Sequence, residues 1–171
     1  MILAHTNLEM SIANKVIAEE VNKQDGVEVR DIAKLYPDFN INVEAEQKVL
    51  LNADRIIFQY PIYWYNMPPI LKQWFDQVLT YGFAYGEGTY NLEDKEMMVS
   101  VTTGGSEEGY AGGILESKIL FPLEATASFC KMKYLNHKVL HGMMAMPGVD
   151  TSPLVSSAQE HAKRVIKAIN N

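Results

Sequence analysis

The feature that most limits the fold of this chain is a regular alternation of short apolar runs with stretches of helical spacing. Parallel neighbouring strands need a long crossover connection, which is usually a helix. The alternation therefore predicts an α/β protein with a parallel sheet and helices on both faces. The five predicted strands are MILAHT (1–6), VEVRDI (27–32), RIIFQYP (55–61), MMVSVTT (97–103) and KYLNHKVLH (133–141).

The helical segments carry their own start signals. Ser11 is the predicted N-cap of the first helix, and residues 43–52 form another. Pro68-Pro69 begins the most clearly amphipathic helix, because a proline in the first turn loses no helical hydrogen bond. One helix is predicted over much of 113–129, and the last begins at Ser152-Pro153. Five strands in this length favour a flavodoxin-like three-layer sandwich with strand order 2-1-3-4-5.

Length and composition set the broad class of protein. A chain of 171 residues suits one domain, which we predict over residues 1–171. Cys130 is the only cysteine, which excludes a disulfide framework and fits a reducing compartment. Neither a signal peptide nor a membrane-spanning apolar run is evident. A formal net charge of −6 argues against nucleic acid as a partner. We therefore expect a cytoplasmic protein.

Three loops are the expected site of chemistry, since open parallel sheets bind ligands beyond the carboxyl ends of their strands. They follow the first, third and fourth strands and read HTNLEMSIAN (5–14), PIYWYN (61–66) and TTGGSEEGY (102–110). The first loop ends at a helix N-terminus, where free amides and the helix dipole favour an anion. The alternative is an ordinary capped helix with one hydrogen-bonded histidine.

The other two loops offer an aromatic and a glycine-rich surface. The adjacent rings of Tyr63, Trp64 and Tyr65 diverge, so some must face a ligand, a partner or solvent. The alternative is a hydrophobic plug that closes the end of the sheet. Gly104 and Gly105 allow close approach of the backbone and expose amides. Together the three loops predict a binding site for a flat cofactor with an anionic tail.

Other residues favour structural roles. Cys130 is expected to be a small core residue, and the methionines at 143, 144 and 146 are predicted to be core in preference to lining an adaptable pocket. The histidines at 137, 141 and 161 are too dispersed to form a recognisable metal motif, so no metal site is predicted.

Several motifs make the chain similar to the flavodoxin-like NAD(P)H:quinone oxidoreductases. They are AH-x5-S-x2-N, QYPIYWYNMPPILKQWFDQVL, GFAYG and TTGG, with PLEATASF behind them. The chain most resembles the short bacterial branch, which includes general-stress quinone reductases and ancillary subunits of glutathione-gated potassium efflux systems. The resemblance implies FMN, or alternatively FAD, as cofactor and NAD(P)H as co-substrate. It also implies a homodimer with the flavin close to the interface.

The resemblance assigns roles position by position. The phosphate and ribityl loop corresponds to His5, Ser11, Ile12 and Asn14. The loop that holds the flavin ring corresponds to Pro61, Ile62, Tyr63, Trp64 and Tyr65. The loop over the pyrimidine edge corresponds to Thr102, Thr103, Gly104 and Gly105, and Tyr110 matches an active-site tyrosine. The amides of Gly104 and Gly105, with Tyr110, are the candidate catalytic groups.

One departure affects the expected mechanism. Relatives often carry a histidine shortly after this tyrosine, whereas the stretch here is YAGGILES (110–117). The expected reaction is hydride transfer from NAD(P)H through the flavin to a quinone. The alternative is an ancillary regulatory subunit, held at the inner membrane by a potassium-efflux partner, with secondary reductase activity. A one-electron carrier ranks third, because the first loop differs from the T-x-T-G-x-T loop of true flavodoxins.

Overall fold

The centre of the computed structural model is one pair of long parallel strands, β3 (Arg55–Pro61) and β4 (Glu96–Thr102). They pair in unbroken register from Arg55 opposite Glu96 to Pro61 opposite Thr102. All but the first residue of each strand is buried, as expected for a central strand covered on both faces. The structure describes residues 1–170. Asn171, the last residue of the predicted domain, lies outside the described residues.

Shorter strands extend this pair on both sides. β1 (Ile2–Leu3) pairs with β3, and β2 (Arg30–Asp31) pairs with β1. β5 (Lys133–Tyr134) and β6 (Lys138–Leu140) both pair with β4. The order β2-β1-β3-β4-β5 confirms the predicted flavodoxin-like topology. The predicted fifth strand is divided into two pieces, with β5 beside the start of β4 and β6 beside its end.

Helices cover both faces of the sheet. α1 and α6 pack on the face that carries Ile57 and Met98, whereas α4 packs its buried Trp74 on the face of Phe58. Successive strand residues point to opposite faces, so each strand supplies both layers of core. The helices are α1 (Ala13–Val21), α2 (Ile32–Leu35), α3 (Val43–Asn52), α4 (Pro69–Val78), α5 (Phe121–Phe129) and α6 (Ser152–Ile169). None of the helices within residues 1–170 has both the length and the apolar character to cross a membrane.

The structure differs from the sequence prediction at two segments. The predicted second strand, 27–32, is reduced to Arg30–Asp31 because the chain turns at once into α2, whose N-terminus is capped by the Asp31 carboxylate accepting from the Lys34 amide. The helix predicted over 113–129 begins as a π-helical segment, Leu115–Leu120, and continues as α5. Pro122 lacks the amide that would donate to the preceding turn, which favours this irregularity.

A buried carboxylate ties α3 to its neighbours. Glu46 is fully buried and accepts hydrogen bonds from the Tyr36 hydroxyl (2.6 Å) and the Trp74 indole (3.0 Å). The Arg30 guanidinium forms an ion pair with the same carboxylate. Burial alone would raise the pKa of Glu46, but the Arg30, Tyr36 and Trp74 hydrogen bonds hold this pKa below its usual value. The charge is therefore fully compensated inside the protein.

A buried histidine joins α6 to β4. The Arg164 guanidinium donates to His161 Nδ1 (3.1 Å), so the ring proton lies on Nε2 and is donated to Ser100 Oγ (2.8 Å). Burial, together with the positive charges of Arg164 and Lys138, lowers the pKa of His161 to about 4. His161 is therefore a neutral structural residue at physiological pH.

We predict that Glu46→Gln lowers the free energy of unfolding by about 3 kcal/mol, because it removes the buried charge partner of Arg30 and leaves this guanidinium only the exposed Glu28 carboxylate. Urea denaturation measures this change. Glu44→Gln, at an exposed position of the same helix, is the matched control and is expected to change stability by less than about 0.5 kcal/mol. Equal effects of the two substitutions would contradict a structural role for the buried carboxylate.

Candidate functional site

The three predicted loops meet at one edge of the sheet. Pro61 and Thr102 are register partners at the ends of β3 and β4, so the second and third loops leave the sheet side by side. The first loop follows β1, which pairs with β3 through Leu3 and Gln59. This edge is also where the strand order reverses, between β1 and β3. The fold thus brings the predicted site residues to the position where open α/β sheets bind ligands.

A buried amide network fixes the first loop against both central strands. Asn14 donates to Thr102 Oγ1 (3.0 Å) and to Ser11 Oγ (3.3 Å), and its carbonyl oxygen accepts from Gln59 Nε2 (2.8 Å). Gln59 was not among the predicted site residues, although a glutamine inside an apolar strand was a visible signal. Its Oε1 is buried and has no partner within residues 1–170. The network pre-organises the edge, since buried polar groups are held by such bonds.

The start of α1 presents open backbone amides at this edge. Ile12 is the N-cap and its side chain makes no capping bond, while Ser11 Oγ accepts from the Asn14 amide (3.2 Å). The predicted serine cap is therefore present one residue ahead of the N-cap position. Helix N-termini with free amides favour anionic groups.

His5 links the first loop to the second. Its Nδ1 accepts from the Asn7 amide (3.0 Å), so the ring proton lies on Nε2, which donates to the Tyr63 hydroxyl (3.1 Å). Burial lowers the pKa of His5, which keeps the ring neutral. Both ring nitrogens are thus used within the protein, and His5 orients Tyr63.

The aromatic loop is a tight turn in a strained conformation. Tyr63 and Asn66 exchange two backbone hydrogen bonds, and between them Trp64 (φ 48°) and Tyr65 (φ 62°) both have positive φ. Two positive φ values define a type I′ turn, which favours Asn-Gly. Strain of this kind persists where the surrounding structure and function require it. Trp64 is 94% exposed, whereas Tyr65 lies against Tyr110 with ring centroids 6.2 Å apart.

The glycine loop supplies uncommitted hydrogen-bond donors. Among residues 1–170, the amides of Gly104 and Gly105 donate to no protein acceptor, and the same is true of Trp64 and Tyr65. Ile62 is buried, and its backbone amide donates a hydrogen bond to the Thr102 carbonyl (2.8 Å). This amide is therefore already used within the protein. Four free amides on two facing loops can bind the carbonyl oxygens and ring nitrogens of a flat heterocycle.

His141, one of the histidines that were predicted to form no metal site, lies at the candidate site. His141 follows β6 and lies beside Tyr110, with ring centroids 5.4 Å apart, and its Nδ1 is 2.9 Å from Thr103 Oγ1. The tyrosine of this site therefore has a histidine neighbour, although none follows it in sequence. The position of His141 just after a strand of the sheet was the available signal.

Tyr110 and His141 line a cavity of about 380 Å³ beside the glycine loop. Burial is the main cause that raises the pKa of Tyr110, so its phenol stays protonated at neutral pH. The carboxylates of Glu107, Glu108 and Glu116 also line this cavity, which gives it a negative character. It is large enough for a small aromatic molecule.

The predicted core role is confirmed for the cysteine but not for all three methionines. Met143 is partly buried against the core, but Met144 and Met146 are 63% and 57% exposed, so the predicted core role is wrong for these two. The Met144 methyl lies 3.1 Å from where a Cβ on Gly104 would stand, so Met144 lies against the glycine loop. Cys130 is buried, as predicted, and burial raises the pKa of its thiol.

A second cavity, of about 410 Å³, lies at the opposite end of the strands and carries none of the predicted residues. The arginines that line it are already paired, Arg30 with Glu46 and Arg55 with Glu96. The carboxyl edge is therefore the candidate site.

Comparison with known proteins places the chain in a family. Residues 1–165 match the family model described as having a flavodoxin-like fold, and the chain belongs to this family. It is 41% identical to general stress protein 14 of Bacillus subtilis, over 96% of each chain. It is also 41% identical to the glutathione-regulated potassium-efflux system ancillary protein KefF of Citrobacter koseri, over 97% of this chain and 94% of the relative.

Solved structures show the same architecture. General stress protein 14 of Treponema denticola, in complex with FMN, has a TM-score of 0.85 and 30% identity, over 99% of this chain and 95% of that one. An NADPH-quinone reductase from P. pentosaceus has a TM-score of 0.76 and 33% identity, over 94% and 95%. A thermophilic tryptophan halogenase from Streptomycin violaceusniger has a TM-score of 0.87 and 38% identity, over 96% of each chain.

We predict that the double substitution Trp64→Asn, Tyr65→Gly raises the free energy of unfolding by about 1–3 kcal/mol, because Asn-Gly adopts the type I′ turn without strain. Denaturant titration measures this gain. Phe39→Gly is the control, since Phe39 also has a positive φ (62°) but lies outside the three loops, and it is expected to be stabilising as well. A destabilised double variant would show that the aromatic turn is not strained.

Proposed function

We propose that the protein is an FMN-dependent oxidoreductase that transfers two electrons from NAD(P)H to a quinone. The observation that carries the proposal is the pair of facing loops with four uncommitted amides, next to an open helix N-terminus at the switch point of the sheet. This donor set fits a flat heterocycle with a phosphate tail. The FMN complex of the Treponema relative and the reductase from P. pentosaceus support the cofactor and the reaction class.

The three loops divide the binding of FMN between them. The phosphate fits the amides at the start of α1, with Ser11 and Asn14 as the flanking polar residues. The ring fits between the aromatic turn and the glycine loop. When bound, the flavin would supply the hydride chemistry that no side chain can perform.

The protein's own residues would orient the flavin ring and stabilise negative charge on it. The amides of Gly104 and Gly105, which have no protein acceptor within residues 1–170, would lie at one edge of the ring and offset negative charge there. Tyr110, kept neutral by its raised pKa, adds a hydroxyl donor. Trp64 and Tyr65, both exposed, would provide the aromatic surface against which the ring lies.

A second copy of the chain would complete this site. Aromatic side chains form a partly exposed surface in which Tyr85 contacts both Phe129 (4.9 Å between centroids) and Tyr81 (5.9 Å). Phe121 and Phe129, at the two ends of α5, are 57% and 63% exposed. Exposed apolar patches of this kind mark interfaces, and we propose that a homodimer buries this one close to the flavin.

The relatives named KefF favour one alternative: an ancillary subunit of a glutathione-gated potassium efflux system, with reductase activity secondary. Such a subunit would lie at the inner membrane through its transporter, whereas a free reductase would act in the cytoplasm. The similarity to the NADPH-quinone reductase from P. pentosaceus keeps the reductase as the primary proposal. The halogenase neighbour shows why the reaction must be tested directly.

We expect the purified protein to be yellow, to release FMN on denaturation and to reduce menadione with NAD(P)H by ping-pong kinetics. The Trp64→Asn, Tyr65→Gly variant should bind FMN about 10-fold more weakly, since it loses two ring contacts, and Phe39→Gly should bind it normally. A colourless protein that stays inactive with menadione and NAD(P)H after FMN is added would overturn the proposal.

We expect sedimentation velocity to show a dimer that Phe129→Glu converts to a monomer, because the substitution places a charge in an apolar interface. Leu51→Glu, at an exposed apolar position on α3 outside the aromatic surface, is the control and should leave the dimer intact. A wild-type monomer at micromolar concentration, or a dimer that persists in Phe129→Glu, would contradict this interface.

A further inference from the structure

The hydrogen bonds around Thr103 define the protonation of His141. The Thr103 hydroxyl donates its single proton to the Gly105 carbonyl (2.8 Å). The same oxygen lies 2.9 Å from His141 Nδ1, and it has no second proton to give. His141 Nδ1 must therefore carry a proton and donate it to Thr103. In the neutral ring, Nε2 then has a free lone pair.

His141 differs in this respect from the two other histidines whose tautomers the structure defines. His5 and His161 each accept a hydrogen bond at Nδ1 and donate from Nε2, so both nitrogens are occupied. Nε2 of His141 has no hydrogen-bond partner within residues 1–170. The residue lines the cavity that also contains Tyr110. A half-buried imidazole with one nitrogen anchored and the other free is suited to general acid–base chemistry.

We propose that His141 is the proton donor to the electron acceptor in the Tyr110 cavity, and that Thr103 is the positioning residue that aims His141 Nε2 at it. This inference rests on the proposed function. A quinone that accepts a hydride gains two electrons and one hydrogen nucleus, and it needs one further proton to become the hydroquinone. The Nε2–H bond of the imidazolium breaks as an O–H bond forms on the quinone. His141 is left neutral, with its Nδ1 proton still bound to Thr103, and takes its next proton from water.

The surroundings of the cavity suit this role. The ionisable groups that face His141 are Tyr110, Glu107 and Glu108 from the loop after β4 and Glu116 from the π-helical segment. Three of these four are carboxylates, so the local potential attracts protons from solvent. Tyr110 packs against the imidazole ring and remains a neutral donor next to it. Proton delivery therefore needs no basic residue from elsewhere in the chain.

Nitrogen-15 NMR tests the tautomer without any reaction or cofactor. At a pH where histidines are neutral, we expect His141 to be protonated on Nδ1, while His5 and His161 are protonated on Nε2. Thr103→Val removes the acceptor and should shift His141 towards the Nε2 form, leaving His161 unchanged as the internal control. An Nε2 proton on His141 in the wild-type protein would overturn the assigned geometry.

A comparison of two electron acceptors tests the proton-donor role of His141, because ferricyanide takes electrons alone whereas menadione also needs protons. In His141→Gln, the ratio of menadione to ferricyanide rates should fall at least about 10-fold. It should fall less in Thr103→Val and stay unchanged in Lys48→Gln, the control at an exposed position of α3 outside the cavity. An unchanged ratio in His141→Gln would overturn the donor role alone. A wild-type protein loaded with FMN that reduces neither acceptor would overturn the proposed function together with it.

Discussion

The unbroken parallel register of β3 and β4 is the constraint on which the rest of the structure depends. Within it, Gln59 and Ser100 are direct partners, and both are buried polar residues on the face that α1 and α6 cover. Gln59 donates from Nε2 to Asn14 of α1, and Ser100 is hydrogen-bonded to His161 of α6. One register pair thus pins two helices to the sheet. A slip of one residue in either strand would turn its polar side chain towards the apolar layer around Trp74, where it would find no partner.

The same register sets the geometry of the candidate site. Because Pro61 and Thr102 end their strands together, the aromatic turn and the glycine loop leave the sheet side by side, and Tyr65 lies against Tyr110. The aromatic turn stores backbone strain at Trp64 and Tyr65, while the glycine loop keeps the amides of Gly104 and Gly105 free. The strain reduces stability, and the buried bonds of Asn14 hold the ends of β3 and β4 in place. The arrangement is what a pre-organised binding edge requires.

The parts of the fold that could be predicted are those whose information is local. The amphipathic spacing of α4 and the apolar run of β3 depend on neighbouring residues, and both were predicted at nearly the right bounds. The second strand was predicted too long because Asp31 caps a new helix instead of continuing the ladder. Gln59 and His141 could not be assigned roles from the sequence, because their partners, Asn14 and Thr103, lie 45 and 38 residues away.

The histidines show how position within the fold decides what a residue can do. His5, His161 and His141 have the same side chain, yet each has a different partner at Nδ1: an amide, a guanidinium and a hydroxyl that has already used its proton. The first two partners donate, which commits Nε2 to a second bond inside the protein. The third accepts, which leaves Nε2 of His141 available to a molecule in the cavity. The proton-donor role that we propose for His141 therefore depends on the Thr103 hydroxyl and, one bond further, on the Gly105 carbonyl that orients this hydroxyl.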